Sequence, residues 1–351
     1  MAPTYSWIQS TDSTNRAQSR FGRTLIDMSI TDRPTTSRAK EAVSVFAWVD
    51  RQHQLLAETH DLLLLRPDQK TISRCRYLAH QIQKGCRQQP VGLLAALQLN
   101  RNAQFQHVKE LYCGVLAELI GVKCNLAPAS RLSMICAALT QDIGMLDLQD
   151  DRLDRQSLAL TEQQLRQIKK HPIDGIKILA QAGVDDRIWL TIVERHHERL
   201  DGKGYPHRLD EEQIDMGTRI MTLVDNFVAM ARPRGDRPAM MPPKILQQIF
   251  LKRGDQIDPR LAKVLIELLG LKPPGCWVQL ANGETAVVVR PGSHNAFPVV
   301  ASVVGPDGEH YEQAIERDSS ERRFTIVDCV AAPFHFNLRQ LLEQLWPRLE
   351  I

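Results

Sequence analysis

A chain of 351 residues with 43% hydrophobic content is long enough for two compact domains, or for one domain with appendages, around a sizeable core. Its formal charge of +3 is too small to point to a nucleic-acid partner. The seven cysteines form no Cys-x-x-Cys pair, no apolar run approaches the roughly 18 residues of a membrane helix, and no secretory pattern opens the chain, so a reduced, cytoplasmic protein without a membrane segment is expected.

Residues 1–39 are rich in Ser, Thr, Arg and Asp and carry little apolar periodicity, which predicts a disordered arm with at most a short pairing segment near Thr24-Leu25-Ile26. From 40 to 99 the pattern is helical. Leu55, Leu56 and Leu62 to Leu65 precede a break at Arg66-Pro67-Asp68; Ile72, Tyr77, Leu78 and Ile82 mark a second helix closed by Gly85; Pro90 starts a third. No motif here carries chemistry, so packing and homodimerisation through a helix pair are the expected roles.

Residues 100–272 read as the helical core. Leu111, Val115 and Leu119 form an apolar stripe, with His107 one turn before it. Met134 to Leu139 is a buried helix running into Gln141-Asp142-Ile143-Gly144. Thr161 with Gln164 is a capping-box start for a helix expected to end at Lys169-Lys170-His171-Pro172, because proline disfavours helical backbone in the residue before it. Ile188, Trp189, Ile192 and Val193 repeat at helical spacing, and four residues further on come His196 and His197. Two neighbouring imidazoles aimed into a core before Asp201-Gly202 and Gly204-Tyr205-Pro206 have the geometry of a metal site at a helix end. A pair of core histidines bonded to carbonyls fits the spacing equally well. Asp225 stands alone in the apolar stretch from Gly217 to Met230, a costly place unless it is paired or metal-bound.

Beyond Leu271-Lys272-Pro273-Pro274-Gly275, residues 273–351 change to period two. Strands are predicted at 277–280, 286–289 and 298–304, with turns at Asn282-Gly283 and Pro306-Asp307-Gly308, followed by a closing helix from Leu338 to Leu349. The fold class is therefore mostly α, a helical core with a small antiparallel β appendage and a C-terminal helix.

His196-His197-Glu198, Asp201-Gly202 and Gly204-Tyr205-Pro206 together resemble the signature of the HD-GYP family, metal-dependent phosphohydrolases that open cyclic di-GMP. The resemblance covers about residues 90–250 and implies an all-α HD-type core. It further implies two or three metal ions, iron or manganese ahead of zinc or magnesium, which hold the phosphodiester and activate water. Residue by residue it assigns Asp142 as the catalytic, metal-bridging carboxylate and His171, His196, His197 and Asp225 as further ligands, with His107 as the first-helix ligand. If the alignment is fixed on Gly121, Phe105 takes the place of His107 instead. Asp201, Gly202, Gly204, Tyr205 and Pro206 become a loop for substrate or a GGDEF-domain partner.

Three departures stand against full activity. Gln141 replaces the histidine of the His-Asp pair, Met145 replaces a lysine, and Val228 replaces a second late aspartate. A neutral amide is a poor ligand for a divalent transition metal, so the set implies one ion or none. Three readings remain at this point. They are a degenerate cyclic di-GMP signalling protein, an active phosphodiesterase with a reduced metal site, and a structural module with core histidines.

Overall fold

The computed structural model describes residues 41–100, 107–146, 160–232, 239–292, 296–333 and 338–350; the N-terminal arm foreseen at 1–39 lies outside these. Three helices open the described chain: α1 (Val45–Leu65), α2 (Gln69–Gln88) and α3 (Pro90–Leu99). Ser44 and Asp68 cap α1 and α2 by accepting backbone N–H groups three residues on, and Pro67 separates the two helices. Gly85 does not close α2 as expected. The helix runs through it to Gln88; a Cβ there would press within 3.0 Å of Leu93 and 3.3 Å of Trp48, so the bare backbone lets α3 and α1 approach.

The central helices are α4 (Val108–Lys123), α5 (Pro128–Thr140), α6 (Glu162–Gln181), α7 (Arg187–Arg195), α8 (Met216–Ala231), α9 (Pro242–Lys252) and α10 (Pro259–Leu269). The hydrophobic faces of α4 and α5 pack along each other, with α8 against α4 and α7 against α5. Thr161 and Gln164 form the expected capping box at the start of α6. That helix continues through His171-Pro172 to Gln181 instead of breaking there. Pro172 lies inside it, and the carbonyl it leaves without a backbone donor is used by a side chain described below.

The sheet is antiparallel in the order β5-β4-β3-β2-β6, with β2 (Trp277–Leu280), β3 (Thr285–Arg290), β4 (Val299–Val304), β5 (His310–Asp318) and β6 (Ile326–Cys329). Both faces of its centre are covered. Val287, Val289, Ala301 and Val303 join the same hydrophobic core as α1 to α10, while Val278, Ala286, Val288 and Val300 pack with Phe324 in a smaller cluster. The closing helix predicted for Leu338 to Leu349 is reduced to one turn, α11 (Arg339–Leu342). Pro347 prevents its continuation. The chain then extends as β7 (Leu349–Glu350), which pairs antiparallel with β1 (Ala42–Val43). Trp346 donates its indole N–H to the Val289 carbonyl at 2.9 Å and ties this tail to the sheet. No described helix is long and apolar enough to cross a membrane.

Candidate metal centre

Three imidazoles converge where α6, α7 and the turn after α5 meet. One ligand atom from each of His171, His196 and His197 lies within 4.8 Å of the others, and this is the one such three-residue cluster among the described residues. His171 sits in mid-α6. His196 is the cap residue after α7, and His197 follows it, so the pair leaves the helix end, not the helix itself.

The backbone fixes which nitrogen each ring offers. His171 Nδ1 is 2.6 Å from the Ile168 carbonyl oxygen, and His196 Nδ1 is 2.8 Å from that of Val193. A carbonyl oxygen only accepts, so both Nδ1 atoms carry the proton and both Nε2 atoms present lone pairs. Ile168 O is the acceptor that Pro172, lacking an N–H, leaves unused. Val193 O belongs to the last turn of α7, where helical partners run out.

The two Nε2 atoms then face each other at 3.2 Å, an arrangement of lone pairs that asks for a cation between or beside them. Burial, with the neighbouring imidazoles adding to it, pushes the His171 pKa down to about 4 and holds that of His197 well below the usual histidine range. Neutral rings are the form that binds metal.

A carboxylate layer lies beside the triad. Asp142 follows α5, immediately before a 3-10 turn (Ile143–Met145), and is fully buried, and its Oδ1 accepts no hydrogen bond while lying 3.6 Å from His171 Nε2. Its other oxygen, Oδ2, is 2.6 Å from Lys109 Nζ. Lys109 also reaches Asp225 Oδ1 at 2.8 Å, and Gln141 donates its side-chain N–H to that same oxygen at 3.1 Å. Asp225 Oδ2 is 3.9 Å from His197 Nδ1. Burial alone would raise the Asp142 pKa, but Lys109 and the imidazoles outweigh it and hold it at about 2. Neutral imidazole nitrogens and an orphaned carboxylate oxygen are donors that suit a divalent first-row metal.

Two glycines set this geometry. A Cβ on Gly144 would run into the His171 carbonyl and come within 2.7 Å of Gly175 N, so only glycine lets the Asp142 turn lie against α6. A Cβ on Gly204 would sit 2.5 Å from both Arg199 N and Glu198 Cα. The loop after the triad is held by Glu198, whose buried carboxylate accepts the backbone N–H groups of His207 (2.6 Å), Arg208 (3.2 Å) and Leu209 (3.0 Å). Tyr205 stacks on His197 at 4.6 Å between ring centroids and roofs the triad, with Pro206 following through a cis peptide bond. Asp201 pairs with Arg199 and accepts the Lys203 N–H at 3.1 Å, while Gly202 takes a φ of +66°; these two shape the turn.

Residues 93–261 match the profile of the HD domain, a span that contains all of these residues. This chain carries an HD domain. Its relatives include a cyclic di-GMP phosphodiesterase of Pseudomonas aeruginosa, 23% identical over 61% of this chain and 51% of that protein. The response-regulator phosphodiesterase RpfG of Xanthomonas campestris is 30% identical over 43% of this chain and 40% of that protein. A 3'3'-cGAMP-specific phosphodiesterase of Vibrio cholerae is 31% identical over 45% and 34%. The chain thus spans about half or less of the length of these relatives. Among solved structures, the HD-GYP-type protein Bd1817 of Bdellovibrio bacteriovorus shares the fold with a TM-score of 0.53 at 14% identity, over 64% of this chain and 72% of that one.

Within the HD domain the structure brings together Asp142, His171, His196, His197 and Asp225. It does not bring His107 to them. That ring stands at the start of α4 with His60 at 4.7 Å and His53 at 5.7 Å, and Phe105 falls outside the described residues. The residue on α4 that does reach the site is Lys109, which no motif or spacing marks. The sequence signal is weak: Lys109 shares one helix face with Cys113, Leu116 and Ile120, and it is the full burial of those three in the structure that sets it apart from an ordinary surface lysine. Met145 is half-buried and Val228 is a core residue, so neither returns a charge to the site.

The pairing of Pro172 with His171 gives a prediction with two opposite readouts. Pro172→Ala restores an N–H that competes for Ile168 O and frees the His171 ring. Metal affinity should fall about 10- to 100-fold, as when a partner that orients a ligand is lost. The melting temperature in chelator should rise, because proline is disfavoured inside helices. Unchanged Mn2+ affinity would show that the carbonyl does not orient the ring.

Proposed function

We propose that this chain is an HD-GYP-type protein of cyclic-dinucleotide signalling that holds one divalent ion, iron or manganese, and binds cyclic di-GMP with low or no phosphodiesterase turnover. The observation that carries the reading is the convergence of His171, His196 and His197 beside an orphaned Asp142 oxygen, while Gln141 contributes an N–H donor to Asp225 where the family has an imidazole. A divalent ion bound at the triad supplies Lewis acidity to a phosphoryl oxygen and lowers the pKa of water. The chain's own residues do the rest. Ile168 and Val193 carbonyls aim the rings, Asp142 adds negative charge, and Tyr205 covers His197. A phosphodiester displacement is fastest when both attacking and leaving oxygens are clamped, and Gln141 removes an imidazole from one half of that clamp. The loop of Asp201, Gly202, Gly204, Tyr205 and Pro206 is solvent-facing in part and suits a GGDEF-domain partner.

An active phosphodiesterase is the second reading. It is favoured by a triad that is complete for one ion and by relatives named for hydrolysis of cyclic di-GMP or 3'3'-cGAMP. The two readings separate in a hydrolysis assay of the purified chain with both dinucleotides at saturating Mn2+. The proposal expects binding with turnover well below the ordinary enzyme range of about 1 to 1,000 per second. Turnover inside that range contradicts it and establishes the second reading.

A further inference from the structure

We propose that the Lys109 ammonium occupies the place of a second metal ion, so that the site is built for one divalent cation and one internal, covalently attached cation. This rests on the reading of the triad as a metal site. Three observations support the division. Lys109 is buried, and its Nζ lies between two carboxylates from different elements, 2.6 Å from Asp142 Oδ2 and 2.8 Å from Asp225 Oδ1. Gln141 fills the next position on Asp225 Oδ1 at 3.1 Å, so both oxygens on that side already accept nitrogen donors. On the other side Asp142 Oδ1 accepts nothing and faces His171 Nε2, so the two oxygens of one carboxylate serve two different cations.

Charge enforces the count. Asp142 and Asp225 against one ammonium leave a single negative charge, since burial and Asp142 push the third buried acid, Glu110, up to about 8, and one divalent ion turns that charge into a single positive one. A second divalent ion would have to displace Lys109 from both oxygens and leave an unpaired ammonium in a buried place, which is strongly unfavourable. The lysine therefore performs the electrostatic part of a second ion, holding Asp142 and Asp225 together. It does so without an open coordination position at which a phosphoryl oxygen or water is bound.

The test counts ions. Wild type and Lys109→Gln are stripped with chelator and titrated with Mn2+, and bound metal is measured by elemental analysis and electron paramagnetic resonance. The expected result is about one Mn2+ per wild-type chain, with the signal of an isolated ion, since His171, His196, His197 and the free Asp142 oxygen make one donor set. Lys109→Gln should take up a second ion and give the signal of a coupled pair. Two ions in wild type overturn the proposal, as does one ion in both proteins. No ion in wild type overturns the reading of the triad itself, a distinct outcome. Should Lys109→Gln fold only when Mn2+ is present during purification, that dependence supports the proposal. Should it fold under neither condition, the wild-type count and signal decide alone.

Discussion

Glu198→Ala should lower the stability of this protein by about 4.5 kcal/mol and weaken metal binding in the same variant, since hydrogen bonds to charged groups contribute at least about 1.5 kcal/mol each and three are lost together. The buried carboxylate is the sole side chain that gathers the N–H groups of His207, Arg208 and Leu209 among the described bonds. Arg208 also holds a φ of +58°, a backbone state that costs energy for a residue with a Cβ and persists because its neighbours are fixed. Without Glu198 the loop loosens, and Tyr205 loses the position from which it covers His197. Thermal denaturation in chelator reports the first effect and Mn2+ titration the second. A variant with wild-type stability would show that the loop is held from elsewhere.

Gly144→Ala is expected to be the most damaging small substitution in the HD domain. The added Cβ meets backbone on two sides, the His171 carbonyl and Gly175 N, and neither can swing away as a side chain would. Relief requires moving the Asp142 turn off α6, which widens the 3.6 Å approach of Asp142 to His171. Overpacking of this kind costs typically 1–3 kcal/mol, and a backbone clash places this one at or above about 3 kcal/mol. The facing glycine is a control. A Cβ on Gly175 comes no nearer than 3.4 Å to Ile143 and Val193, so Gly175→Ala should be neutral or slightly stabilising, by at most about 1 kcal/mol of helix propensity. Equal losses from both variants would contradict this account of the contact.

These two residues also mark what the sequence makes legible. The paired histidines, the glycine-punctuated loop and the lone Asp225 stand out because each violates the pattern around it. Period and charge alone therefore pick out His196, His197 and Asp225, whereas Asp142 and His171 enter only through the resemblance to the HD-GYP family. Lys109 escaped because a Lys-Glu pair in the first turn of a helix ordinarily faces water, and only the burial of Cys113, Leu116 and Ile120 on its face reveals the exception. Pro172 predicts a helix stop that the structure does not show. A proline inside α6 is tolerated because the carbonyl it strands is taken up by His171, a compensation between side chain and backbone that spacing does not encode.

In the β region, strands β2 to β4 are rich in valine and read plainly. Strand β5, His-Tyr-Glu-Gln-Ala-Ile-Glu-Arg-Asp, alternates too weakly to announce itself, being a mostly exposed edge held by pairing with β4. The pairing of β7 with β1 joins residues from opposite ends of the described chain, and two-residue segments leave no periodicity to detect.

The central claim is that His171, His196 and His197 hold a divalent ion in this HD domain, and the most direct measurement is the metal content of wild type beside His171→Ala and His196→Ala. After reconstitution with Mn2+ and removal of free metal, the account predicts a stoichiometric ion in wild type, near-complete loss in each variant, and a melting temperature that rises with Mn2+ in wild type alone, because binding to the folded state stabilises it by mass action. Wild type that retains no ion, or variants that retain as much as wild type, would contradict it.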